Sequence, residues 1–139
     1  MTEQNVDRKL VTAISRIPIS KELFLSIAEH LNLPVFELKN EGEESYAFQC
    51  NKFSFTLRIF PDAETADILL HDYVMNMTEN TFVRNPRWFV GHGYIAHACQ
   101  TQDMTIHYVS LVRNTVIEVL TNAENIDRVM AAMSSIGYA

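Results

Sequence analysis

The spacing of apolar residues along the chain predicts four helices. Apolar positions recur every three or four residues in segments 4–16 and 21–32, in a segment that opens at Pro61-Asp62, and in one that begins at Thr121. Ser20 is a favourable N-cap for the second helix, and Asn32-Leu33-Pro34 ends it because the residue before a proline avoids the helical region. The second helix therefore has a start signal and a stop signal in the sequence.

Between the second and third helices the pattern changes to a period of two, which predicts three strands. They lie at residues 35–39, 45–50 and 53–59. If Asn51-Lys52 is a two-residue hairpin loop, Phe48 faces Phe55 and Tyr46 faces Leu57. These apolar side chains then share one face, whereas a slip of one residue would separate them. Loop length and alternation therefore predict the same register.

The second half of the chain is rich in β-branched and aromatic residues, which predicts further strands. These occupy residues 87–91, 94–100, 104–112 and 115–120, after a loop at 78–86 and with turns at Gln102-Asp103 and Arg113-Asn114. Thr121 and Glu124 form a capping box for the last helix. Hairpins without regular strand–helix alternation predict an α+β fold, in which helices pack on an antiparallel sheet of about six strands.

The predicted element order is α-α-β-β-β-α-β-β-β-α, with residues 87–91 as one additional strand. A chain of 139 residues has the length of one domain, so we expect a single domain over 1–139 with residues 1–18 as an N-terminal helical extension. Hydrophobic residues make up 47% and charged residues 20% of the chain, which is typical of globular proteins and argues against disorder.

Charge and hydropathy exclude several classes of partner. A net charge of −6 and a pI near 5.3 oppose binding to nucleic acid or anionic membranes, since both need a basic surface. The N-terminus is polar and lacks an export signal, and no apolar run approaches the ~18 residues of a membrane span. We therefore expect a cytoplasmic protein in which Cys50 and Cys99 are free thiols.

One segment holds a candidate for metal or thiol chemistry. His97 and Cys99 share a strand face, and a three-residue loop at 101–103 would place His107 opposite His97. Histidine and cysteine are zinc ligands, but the sequence indicates no fourth ligand and no paired spacing. A cysteine in mid-strand also lacks the helix N-terminus that would activate it. We expect no metal, no cofactor and no catalytic residue.

Residues 23–60 resemble the start of a class I type III secretion chaperone. That family opens with a short helix, a Leu-Gly-Leu-like exit and three antiparallel strands, and here the exit is Leu31-Asn32-Leu33. The chain departs from the family at Asn32, which replaces the usual glycine, in the added residues 1–18, and in the longer strand-rich stretch 87–120. The resemblance implies a homodimer that keeps an unfolded segment of a secreted effector wrapped around its surface.

The same resemblance implies a mechanism and a binding surface. An effector segment would add as a β-strand and place apolar side chains in grooves, without ATP. The groove would lie beside helix 20–32 and strand 35–39. The residues nominated for partner binding are Leu33, Val35, Phe36, Leu38 and Phe60. Each of these apolar residues could equally belong to the core.

Two other functional classes fit the sequence. An acidic domain of this size can act as an inhibitor or immunity-type protein that blocks the basic site of a toxin or enzyme. An enzyme of unrecognised type is the third alternative. The first interpretation is a non-catalytic polypeptide-binding protein whose partner is an effector or toxin.

Overall fold

The computed structural model describes residues 18–40, 43–80, 82–91 and 93–134. Its helices are α1 (Lys21–His30), α2 (Ala63–Asn80) and α3 (Ile126–Ser134). Its strands are β1 (Phe36–Asn40), β2 (Glu43–Gln49), β3 (Ser54–Ile59), β4 (Val83–Gly91), β5 (Tyr94–Thr101), β6 (Ile106–Val112) and β7 (Thr115–Thr121). The predicted helix 4–16 lies outside the described residues.

All seven strands form one antiparallel sheet in the order β1-β2-β3-β7-β6-β5-β4. The α+β class is confirmed, and so is the order of the elements over the described residues, which form seven strands where about six were expected. The last strand, β7, inserts between β3 and β6 and joins the two halves of the chain. β1 and β4 consequently lie at the two edges of the sheet.

The β2–β3 hairpin has the predicted register. Phe48 lies opposite Phe55 and Tyr46 opposite Leu57, around a two-residue turn. The rings of Phe48 and Phe55 stack with their centroids 4.8 Å apart, and both side chains are fully buried. This pair lies at the centre of the apolar surface that the register creates.

Each face of the sheet carries a hydrophobic core. The face covered by α1 and α3, here called the α1 face, carries the larger core, with Phe24, Ile27, Phe48, Phe55, Leu57, Tyr108, Val119, Ile126 and Val129. The opposite face, here called the α2 face, carries a smaller core of Phe60, Ala66, Leu70, Val74, Val109, Leu111 and Val116. Helix α2 thus packs on β6 and β7.

Helix α1 ends in a turn that aims the chain into β1. Ser20 Oγ accepts a hydrogen bond from Leu23 N–H at 3.2 Å, as the predicted N-cap requires. At the other end, Leu33 N–H donates to Ala28 O and Asn32 N–H to Glu29 O, each at 3.0 Å. These two bonds form a Schellman motif, which needs a left-handed residue. Asn32 takes that conformation with φ 56°, so the asparagine performs here what a glycine would.

Three sequence-based predictions are wrong in detail. The loop placed at 78–86 is instead the end of α2 and the start of β4, which continues through an irregularity between Arg84 and Arg87. The last helix does not begin at Thr121, which belongs to β7; Asn122 Oδ1 accepts the Asn125 N–H at 3.0 Å ahead of α3. The β5–β6 turn also includes Met104, with φ 69°.

Candidate functional site

Strand β1 is an edge strand held in place by the residues that precede it. Leu33 and Val35 are half-buried and pack against the larger core on the α1 face. β1 pairs with β2 from Phe36, opposite Ala47, to Asn40, opposite Glu43, without a register shift. Five consecutive residues therefore form a regular, unbulged ladder along this edge.

The hydrogen-bond pattern of the sheet determines which backbone groups of β1 point outward. Cys50 N–H donates to Phe53 O at 2.9 Å, so this pair of the β2–β3 hairpin is hydrogen-bonded. Bonded and non-bonded pairs alternate along an antiparallel ladder, so even-numbered residues of β2 bond to β3 and odd-numbered ones, such as Ser45, bond to β1. Leu38, the register partner of Ser45, therefore directs its N–H and C=O toward β2.

Glu37 and Lys39 occupy the intervening positions of β1. Their N–H and C=O groups point away from β2, toward the outer edge of the sheet, where no strand of the described residues pairs. The side chains of Phe36 and Leu38 lie on the α2 face and those of Glu37 and Lys39 on the α1 face, because neighbours along a strand alternate. The edge therefore offers two residues with outward hydrogen-bonding groups, between an apolar and a charged row of side chains.

The structure separates the five residues nominated for partner binding. Phe36, with 43% of its surface exposed, and the half-buried Leu38 share the α2 face of β1. Leu33 and Val35 contribute to the core on the opposite face, and Phe60, only 4% exposed, lies in the smaller core. Phe36 and Leu38 are thus brought together at the edge, whereas the other three are placed where they support it.

Acidic side chains surround the α1 face of β1. Tyr46, the register partner of Glu37, is buried and donates a hydrogen bond from Oη to Glu44 Oε2 at 3.1 Å. Burial, this hydrogen bond and the charges of Glu44, Glu37 and Glu22 together raise the pKa of Tyr46. Lys21 Nζ lies 5.1 Å from the centroid of the Tyr46 ring. Three carboxylates, from α1, β1 and β2, therefore contribute to the raised pKa of this tyrosine beside the edge.

Strand β4, at the other edge, is longer but irregular. Its nine residues include Pro86, which has no N–H, and Asn85, which has φ 49°. The pairing with β5 shifts between Arg84 and Arg87. A proline, a bulge and positive charges are devices by which proteins hinder strand addition at a sheet edge. The first half of β4 carries all three.

The second half of β4 contacts helix α2 through an aromatic stack. The Trp88 ring stacks on His71 of α2 with centroids 5.0 Å apart, and its edge meets His97 of β5 at 4.8 Å. Trp88 is 41% exposed and Val90 is 75% exposed. Trp88 is therefore partly exposed, and its ring contacts two histidines, one on α2 and one on β5.

The histidine and cysteine cluster is assembled differently from the sequence-based expectation. His107 lies opposite Cys99, and His97 lies opposite Val109, because the three-residue turn covers 102–104 and not 101–103. Burial lowers the pKa of both His97 and His107 and raises that of Cys99. Within the described residues, no group of three or more histidine, cysteine or acidic side chains could hold a metal ion.

No family model, curated protein or solved structure matches the chain. Among the helices of the described residues, none is both long enough and apolar enough to cross a membrane. The features that the sequence pattern did not reveal are the outward backbone groups of Glu37 and Lys39 and the histidine stack of Trp88. The sequence nominated Phe36 and Leu38, but the pattern of residues did not show that their strand lies at an edge of the sheet.

Proposed function

We propose that this protein is a non-catalytic polypeptide-binding protein, similar in action to a secretion chaperone, that binds an extended segment of its partner along β1. The observation that supports this most is the regular outer edge of β1, where Glu37 and Lys39 present N–H and C=O groups beside the exposed Phe36. A strand that adds there gains backbone hydrogen bonds for affinity and side-chain contacts on alternate positions for specificity.

The two edges of the sheet favour β1 as the binding edge. Proteins usually protect an exposed edge from strand addition by shortening, bulging or charging it, or by placing a proline in it. β4 has the proline and the bulge, whereas β1 has neither. β1 is short, so a bound segment would be held by a few backbone bonds together with the Phe36 and Leu38 contacts.

A homodimer is part of the proposal, and the second copy would use a different surface. The large exposed apolar side chains of α2 and of the chain around β4 are Ile68, Leu69, Met75, Phe82, Trp88 and Val90. Isolated domains rarely leave a large contiguous apolar surface in water. The substitution Val90→Lys introduces a charge on this surface and should shift the equilibrium from dimer to monomer, whereas Val90→Ala should not. Light scattering measures the molar mass of each variant.

The test removes one outward N–H of β1 while keeping its pairing with β2. Lys39→Pro deletes a donor that faces the outer edge, so we expect loss of partner retention with less than about 1 kcal/mol change in stability. Lys39→Ala is the matched control, because it removes the same side chain and keeps the N–H. Leu38→Pro deletes an inward donor and leaves an acceptor on β2 unpaired, so it should cost about 1–3 kcal/mol.

The measurement is retention of the natural partner during co-purification, followed by hydrogen exchange on the complex. We expect the amides of Glu37 and Lys39 to exchange more slowly when the partner is bound. Retention that Lys39→Pro leaves intact would contradict strand addition at β1. If the retained partner is a folded enzyme that loses activity on binding, the inhibitor alternative replaces the chaperone.

A further inference from the structure

The edge geometry points to a partner segment of defined chemistry: an extended strand in which lysine or arginine alternates with apolar residues. This inference rests on the proposed function, because it names what binds along β1. Residues of an added strand alternate between the two faces of the sheet, as those of β1 do. Each face of β1 therefore selects every second residue of the partner.

The α2 face of β1 selects the apolar residues. Phe36 and Leu38 lie two positions apart and project on this face, and Phe36 is 43% exposed. The next strand inward presents Ala47 and Ser45 at the same positions, and both are buried. Apolar side chains opposite Phe36 and Leu38 would cover the exposed ring and continue this face of the sheet outward.

The α1 face selects basic residues. Lys39 lies opposite Glu44 in the register, where the two opposite charges attract each other. Glu37 lies opposite Tyr46, an uncharged residue, and its side chain is exposed at a position whose backbone faces the outer edge. A lysine or arginine beside Glu37 would form a cross-strand pair of opposite charges.

The sequence around β1 is also acidic beyond Glu37 itself. Residues 36–49, which include β1 and β2, contain four glutamates and one lysine, a net charge of −3 within a chain of −6. A tenth of the chain therefore carries half of the net charge, in the part of the sequence that contains the edge strand β1. Such a field speeds the approach of a basic segment and slows that of an acidic one, with a strong dependence on salt.

The experiment begins with selection from a display library of random peptides on the intact wild-type protein, with depletion on Lys39→Pro. We expect enriched peptides that alternate apolar and basic residues. Synthetic peptides then compare alternating Val and Lys with alternating Val and Glu. Each charged cross-strand pair is worth about two- to fivefold in Kd, and Lys39 lies opposite Glu44, so the pair at Glu37 should make the basic peptide bind about two- to fivefold more tightly at low salt. At ~1 M salt, where the Debye length is ~3 Å, the preference should largely disappear.

A charge reversal provides the matched variant. Glu37→Lys keeps the backbone edge and should reverse the preference, so that the Val and Glu peptide binds more tightly. Phe36→Ser should weaken both peptides to a similar degree. Because both side chains are exposed, neither substitution should change the folded structure, which a circular dichroism spectrum checks.

The outcomes separate this inference from the function on which it rests. Enriched peptides that bind only when the β1 edge is intact, but show no preference for basic residues, would overturn the partner chemistry and keep strand addition. If selection on the wild-type protein enriches no peptide relative to the Lys39→Pro variant, both the partner chemistry and strand addition at β1 are overturned. If a peptide copy of residues 83–91 competes best, the occupant of β1 is a second copy of this chain and the partner named here is wrong.

Discussion

The two edge strands of the sheet differ in length, in regularity and in proline content, although both carry charged side chains. β1 has five residues in regular register, no proline and an acidic surrounding. β4 has nine residues, an interrupted register, Pro86 and two arginines. A chain that blunts one edge and leaves the other regular directs association to the regular one. On these features β1 is the edge that hinders strand addition less, which supports the proposed binding edge.

The edges also differ in how they are anchored. β1 follows a Schellman turn, and Leu33 and Val35 hold it on the larger core. β4 is held on the opposite face by the contact of Trp88 with His71 and His97. The first anchor is apolar and insensitive to pH, whereas the second includes two titratable rings.

The largest expected effect on stability is the difference between a substitution in the core and one on the β1 edge. Phe55→Ala empties a fully buried site that stacks on Phe48, and should lower the free energy of unfolding by about 3–5 kcal/mol. Phe36→Ala, on the exposed edge, should cost less than about 1 kcal/mol. Urea denaturation measures both. A loss below about 1 kcal/mol for Phe55→Ala would show that the β2–β3 register is wrong.

Acid should weaken the β4 side of the molecule in particular. Burial, with a smaller contribution from the charge of Arg87, lowers the pKa of His97 to about 4. The unfolded chain takes up this proton near pH 6.5, so the stability present above that pH is lost as the pH falls toward 4. The loss should reach up to about 3 kcal/mol, and the lowered pKa of His107 acts in the same direction.

Chemical denaturation between pH 7 and 4 measures this loss, and His97→Gln is the control. The substitution removes the buried titratable group, so stability should fall less steeply over the same interval. An equal slope in both proteins would show that His97 takes up its proton as readily in the folded state as in the unfolded one.

Trp88→Ala tests whether the aromatic stack holds β4. The ring is 41% exposed, so its removal should cost about 1–2 kcal/mol, less than for a fully buried tryptophan. Val90→Ala, at a position that is 75% exposed, should cost less than about 0.5 kcal/mol. Hydrogen exchange should show faster opening of β4 in Trp88→Ala, with β1 unchanged. Faster exchange at both edges would mean that the two anchors are not independent.

The smallest effects concern one asparagine at each edge. Asn32 before β1 and Asn85 within β4 have positive φ, at 56° and 49°. Alanine has no side-chain group that stabilises this conformation, so Asn32→Ala should cost about 1 kcal/mol. Asn32→Gly should leave thermal unfolding nearly unchanged. A large loss for the glycine variant would mean that the side chain of Asn32, and not its backbone conformation, sustains the turn.

Local patterns were sufficient wherever neighbouring residues decide the structure. The β2–β3 register follows from a two-residue turn and strict alternation, and α1 follows from Ser20 and Pro34. The same reasoning failed at Pro86, where a proline and Asn85 suggested a loop. A bulge there lets β4 continue, and only its pairing with β5 reveals the strand. The cap of α3 was also misplaced, since Thr121 and Asn122 are equally suitable caps in sequence.

The candidate site was predictable in composition but not in arrangement. The sequence nominated Phe36 and Leu38, which share a face of β1, but also Val35, which packs on the opposite face. Phe60 follows the same apolar pattern, yet it is 4% exposed beneath α2. The partner of His107 depended on a single turn residue, because Met104 in the turn shifts the pairing from His97 to Cys99.

Local patterns of residues were enough to predict the α+β class, the order of the elements, the register of the first hairpin and the acidic charge of residues 36–49. The insertion of β7 between β3 and β6, which leaves β1 and β4 at the edges, became visible only in the folded protein. The two kinds of feature differ in the sequence distance over which the interactions act. Turns, caps and periodicity depend on residues a few positions apart, whereas the pairing of Phe55 with Val119 joins residues that are far apart in the sequence. Such pairings depend on which arrangement of strands buries both faces of the sheet together, and no local pattern of residues encodes that choice.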